Sequence, residues 1–130
     1  MIGLDTTAII DFFRGNERIK AFLQSNREPL AATTLSYAEL FFGLNPQDQK
    51  HALEGNYYRE FFNKMYHINL TPEACEEAAK MFWELKKEGK EISQFDCMIA
   101  ASFLIMGVRK ILTANVKHFE RIKKMQVVRY

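Results

Sequence analysis

Cysteine is scarce in this chain. Its 130 residues contain two, Cys75 and Cys97, far apart and outside any CxxC or Cys/His spacing. That pattern excludes a structural zinc held by thiolates and points to a reducing, intracellular setting. No apolar run approaches the roughly 20 residues needed to cross a bilayer, so no membrane span is expected. The opening MIGLDTTAII has no basic segment and carries an acid at position 5, which does not describe a signal peptide. A cytoplasmic location is therefore expected. GxGxxG is missing, as is GxxxxGK followed by Ser or Thr, so nothing is built to cradle a diphosphate. Internal repeats and low-complexity linkers are absent too. No charge of one sign dominates: the net charge is +2, which permits an anionic partner without demanding one.

What the chain does have is apolar bulk. Hydrophobic residues make up 48% of it and eleven are Phe, enough for one domain, 1–130, with a substantial core. Short apolar runs predict strands at 2–4, 29–34, 66–70, 109–113 and 126–130. Between them lie helical patterns at 6–14, 16–26, 35–44, about 47–64, 72 to Gly89, the low nineties to Gly107, and 116–124. Thr71-Pro72 supplies a cap and a first-turn proline, and Gly15 and Gly89 supply stops. Strands alternating with helices imply a mainly parallel sheet between helical layers, an α/β/α sandwich. Such sheets place ligands outside the carboxyl ends of their strands.

Three acids gather at that edge by this topology: Asp5 directly after the first strand, Glu39 early in the helix after the second, and Asp96 at the start of a late helix. Asp96 is conspicuous because EISQFDCMIAA otherwise looks built for burial, and a lone acid on an apolar face needs compensation. Each acid has a local explanation. Ser93-x-x-Asp96 and Ser36-x-x-Glu39 match the capping-box spacing, and Asp5 can cap the helix that begins at Thr6. Capping, however, does not require acids from distant segments to meet. Carboxylates about 4 Å apart repel by roughly 1 to 4 kcal/mol, and a cation relieves that repulsion. Mg²⁺ or Mn²⁺ suits a set of oxygen ligands that retains waters.

The segments LDTTAIID, TTLSYAELFFG, GKEISQFDCMIAA and ILTANVKHFERI, in this order, resemble the PIN-domain family, and within it the VapC-type toxins of toxin–antitoxin pairs. The resemblance covers essentially the whole chain. It implies a five-stranded parallel sheet in an α/β/α sandwich and a metal-dependent endoribonuclease acting on RNA phosphodiesters. It implies that Asp5 and Asp96 hold Mg²⁺ or Mn²⁺, with Glu39 the helix acid acting through water. Thr6, Thr7 and Thr113 match supporting hydroxyl positions. Many relatives have a fourth acid after the fourth strand; here Asn115 stands there, with His118 three residues on. Asn115 can coordinate or hold a water but brings no charge, which weakens a second metal site. The implied partners are RNA, an antitoxin and a second copy of the chain.

Among basic residues near this edge, Arg14 and Lys117 are candidate phosphate contacts, while Lys86, Lys87 and Lys90 suit a solvated surface. Tyr57, Tyr58, Phe61 and Phe62 form an aromatic stripe that exceeds core needs and suggests a partner surface, and Trp83 raises the same question. Two rivals to a toxin remain: a housekeeping PIN nuclease in RNA processing, and a PIN-like scaffold with weakened catalysis, which Asn115 favours.

Overall fold

The computed structural model describes residues 1–130. In chain order it contains β1 (Ile2–Leu4), α1 (Thr6–Phe13), α2 (Glu17–Ser25), β2 (Leu30–Thr33), α3 (Thr34–Phe42) and α4 (Gln49–Asn63). These are followed by β3 (Tyr66–Ile68), α5 (Pro72–Lys87), α6 (Gln94–Ile105), β4 (Lys110–Leu112), α7 (Val116–Phe119) and β5 (Gln126–Val128). The five strands form one sheet in the order β3-β2-β1-β4-β5, and every pairing is parallel. The expected α/β/α sandwich is the observed one.

Alternation along the strands divides the core in two. Ile2, Leu4, Ala32 and Leu112 face a cluster completed by Ala8, Ile9 and Ile19 of α1 and α2. Ala31 and Ile111 face the other way, toward Met81 and Leu85 of α5 and Phe103 of α6. Helix α6 is apolar nearly all round and is buried accordingly, with Ile99, Ala100, Ala101 and Phe103 at most 2% exposed. Gly3 of β1 packs directly against Phe103 of α6. A Cβ there would lie 2.6 Å from the Phe103 ring, so only glycine lets α6 sit this near β1. Truncating Phe103 itself would cost about 3 to 5 kcal/mol, the usual range for a buried aromatic.

The helix boundaries follow from local chemistry. Thr71 accepts from Ala74 N at 3.1 Å, Pro72 starts α5, and Lys86 and Lys87 occupy its last turn. Gly89 stops it at φ +71°. One expectation fails: the helix predicted over 116–124 is a single turn, α7. Phe119, Ile122 and Met125 are all buried, and their spacing of three suits tight turns better than 3.6-residue helix.

Topology positions the site. The chain winds outward from β1 through β2 to β3, then restarts at β4 on the other side of β1. The crevice beyond the carboxyl ends of β1 and β4 is therefore the switch point where such sheets bind ligands. Leu4 pairs with both Ala32 and Leu112, so the next residue of each strand, Asp5, Thr33 and Thr113, reaches the same rim.

Candidate active site at the β1/β4 switch point

Asp5 lies at the centre of the rim and is 2% exposed. It caps α1, accepting from Ala8 N at 3.0 Å. Its carboxylate also accepts from Thr7 Oγ1 at 2.8 and 3.0 Å and from Thr113 Oγ1 at 2.7 Å. Thr7 in turn receives the Ala114 N–H at 3.1 Å, locking the loop after β4 onto the first turn of α1. Capping and a clustered role thus coexist in Asp5. Burial dominates its electrostatics and pushes its pKa up to about 6, against the pull of these hydrogen bonds, with the negative charge of Asp96 adding to the rise.

Asp96 answers differently. Ser93 caps α6 by accepting from Asp96 N at 3.0 Å, but the Asp96 carboxylate does not return to the helix start. It faces His118, with Oδ2 3.0 Å from Nδ1. The acid on an apolar helix therefore sits in its first turn, at the rim rather than in the core.

Glu39 is exposed on α3. The capping box expected at Ser36 does not form, because β2 ends at Thr33 and Thr33 takes the cap, accepting from Ser36 N at 3.2 Å. Ser36 instead joins a hydroxyl cluster. Thr6 Oγ1 lies 2.9 Å from Ser36 Oγ and 2.7 Å from Glu39 Oε1, and its single proton serves the carboxylate.

The crowding of all three acids is looser than expected. No group of three or more His, Cys, Asp or Glu side chains is close enough to hold a metal ion. Asp5 and Asp96 interact, while Glu39 is held to one side by Thr6. Each acid has different partners: Asp5 accepts from Thr7, Thr113 and Ala8, Glu39 accepts from Thr6, and Asp96 contacts His118. None of the three pairs with a Lys or Arg. Two interacting carboxylates, one buried with its charged form disfavoured, flanked by hydroxyls and an amide, make an all-oxygen donor set that fits a hard divalent cation.

The remaining candidates are Asn115, Arg14 and Lys117. Asn115 begins α7 without capping it by its side chain, and its N–H donates to Thr113 Oγ1 at 2.8 Å. Arg14 ends α1 and lines a groove of about 430 Å³ with Glu39, Phe13, Glu54, Tyr57 and Tyr58. Lys117 is exposed on α7. Sequence reasoning missed Ser36 as part of the hydroxyl cluster and His118 as the partner of Asp96. The TTLS run at the end of β2 signalled the first; nothing local signalled the second. The aromatic stripe splits: Phe62 is 1% exposed and Tyr57 is 53% exposed.

The PIN-domain family profile matches residues 2–125. The chain belongs to the PIN-domain family, a family of nucleases. Among solved structures it is similar to VapBC-1 from nontypeable Haemophilus influenzae, with 28% identity, a TM-score of 0.83, and 99% of this chain and 98% of that chain covered. VapBC2 from Rickettsia felis, solved bound to a DNA fragment from its promoter, shares the fold at 19% identity and a TM-score of 0.84, covering 100% and 99%. VapC20 from Mycobacterium tuberculosis, described as a Sarcin-Ricin loop cleaving toxin, matches at 18% identity and a TM-score of 0.65, covering 85% and 87%. No curated protein sequence matches the chain. No helix is long and apolar enough to cross a membrane.

Proposed function

We propose that the chain is a divalent-metal-dependent endoribonuclease and the toxin of a type II toxin–antitoxin pair. The observation that carries this reading is the Asp5–Asp96 pair: two interacting acids at the switch point of a PIN-family sheet, with no Lys or Arg to neutralise them.

When bound, Mg²⁺ or Mn²⁺ would lower the pKa of a water and offset charge growing on a phosphoryl oxygen. Asp5 and Asp96 would hold it. The hydroxyls of Thr7 and Thr113 and the Ala8 N–H fix the Asp5 carboxylate, so its lone pairs are aimed before any ligand arrives. Glu39, steadied by Thr6 and open to solvent, orients the attacking water and accepts its proton as a P–O bond of RNA breaks in line. Asn115 brings no negative charge to this edge, consistent with one metal rather than two. Arg14 and Lys117 supply phosphate contacts that weaken with salt.

The groove beside Glu39 suits an antitoxin segment that is apolar along its length and basic where it meets the acids. The family likeness to VapBC complexes supports that partner. A homodimer belongs to the same proposal, with Trp83, 63% exposed, as available apolar surface, and so does a cytoplasmic location. The looser grouping of the acids and the uncharged Asn115 favour a second reading, a scaffold that binds RNA without cutting it.

RNA mapping after induced expression separates the readings. The unaltered chain should arrest growth and leave discrete cleavage ends that chelation abolishes in vitro, and Asp96→Asn should lower cleavage at least a hundredfold while remaining folded. Equal cleavage by Asp96→Asn sinks the assignment. Cleavage without growth arrest indicates a housekeeping nuclease.

A further inference from the structure

His118 is the only basic side chain that touches any of the three acids, and the nitrogen that does so has two neighbours with opposite demands. Nδ1 lies 3.0 Å from Asp96 Oδ2 and 3.1 Å from the Asn115 side-chain amide. An ionised carboxylate only accepts hydrogen bonds, an amide nitrogen only donates them, and a ring nitrogen carries either a proton or a lone pair. With the proton on Nε2 alone, two lone pairs face each other across the contact with Asp96. With a proton on Nδ1, the carboxylate receives a charge-assisted bond, about twice as strong as a neutral one. The Asn115 amide then satisfies the same N–H by turning its oxygen inward.

The contact closes a circuit. Thr113 donates to Asp5 Oδ2 at 2.7 Å and accepts from Asn115 N at 2.8 Å; Asn115 meets His118, and His118 meets Asp96. Phe119, fully buried, pins the one-turn helix that carries His118. The two acids are thereby linked through α7. Asp96 uses Oδ2 toward His118 and makes no protein hydrogen bond with Oδ1.

We infer that His118 is a positioning residue, which through Nδ1–H orients the Asp96 carboxylate and leaves Oδ1 available to the divalent cation. The inference rests on the metal-site reading above and adds to it a residue not counted among the ligands. Partners that hydrogen-bond a ligating carboxylate commonly contribute about 10- to 100-fold to metal affinity.

The test is Mn²⁺ affinity of the full chain by titration calorimetry, with unmodified protein, Asp96→Asn, His118→Ala, His118→Asn and His118→Gln side by side. An Asn side chain places an N–H near the position of Nδ1, and Gln places one near Nε2. His118→Ala should bind Mn²⁺ about tenfold more weakly, His118→Asn should recover to within about threefold, and His118→Gln should not recover. Nitrogen-15 NMR of the metal-free chain should show a proton on Nδ1 of His118. The inference is overturned, with the metal site left standing, if His118→Ala binds like the unmodified chain while Asp96→Asn does not. Equal recovery by Gln and Asn, or a bare Nδ1, also overturns it. Failure of the unmodified chain to bind Mn²⁺ overturns both readings.

Discussion

The two ends of the sheet treat their carboxylates in opposite ways. At the amino end, Glu28 stands in solvent and is matched by protein cations: Lys110 Nζ at 2.7 Å and the amino terminus at 3.2 Å. Its hydrogen bonds to both hold its pKa below the ordinary carboxylate value. At the carboxyl end, Asp5 is buried, receives only neutral donors, and has its pKa raised to about 6. The same sheet therefore carries a neutralised acid at one edge and an unneutralised pair at the other. Ion pairing at the first edge stabilises the fold only slightly, as exposed pairs do. At the second, the unmet charge is a cost to folding that a ligand can relieve.

The comparison can be broken first by pH. Asp5 binds its proton more tightly in the folded chain than at its ordinary value of 3.8, so metal-free stability from this group is full below about pH 4. It is lost as pH rises to about 6, amounting to about 3 kcal/mol. Urea midpoints in EDTA between pH 4 and 7 should fall more steeply for the unmodified chain than for Asp5→Asn; parallel curves would show that Asp5 carries no such penalty. A slightly smaller effect is expected from the ion. Mn²⁺ at a hundred times its dissociation constant should stabilise the chain by about 2.7 kcal/mol in a melting experiment at pH 7.5. Asp96→Asn should abolish the gain, and an undiminished gain in that variant would move the ion elsewhere. The smallest change belongs to the opposite edge. Glu28→Gln should shift the urea midpoint slightly downward at low salt and not at all in 0.5 M NaCl, and should leave the Mn²⁺ response intact.

Much of the fold was legible because its boundaries are chemically marked. Thr71-Pro72 and Gly89 bracket α5, Asp5 opens α1, and short apolar runs mark the strands. The failure at 116–124 has the opposite cause: ERIKK has helical composition, but burial of Ile122 and Met125 in turns outweighs propensity. In the site, Asp5 was legible as the residue that directly follows the first strand, whereas Thr113 was legible only through the family resemblance, because the pairing of β1 with β4 that brings the two together is not written in either segment. The TTLS run supplied the hydroxyls around Ser36, but a spacing rule cannot tell which of them ends the strand, and Thr33 does. The contact between His118 and Asp96 joins residues 22 positions apart on two helices, and its existence depends on how far α7 leans over α6. The separate anchoring of Glu39 was likewise invisible, since it depends on the rotamer of Thr6.

Gly3 has a reach beyond its own strand. The ring that presses on it belongs to the helix bearing Asp96, while Asp5 follows it by two residues in the chain. The spacing between Asp5 and Asp96 is thus gauged in part by the thickness of one benzene ring resting on a bare backbone. A single methyl group inserted there, remote from solvent, would act as a wedge between the two elements that carry the acids.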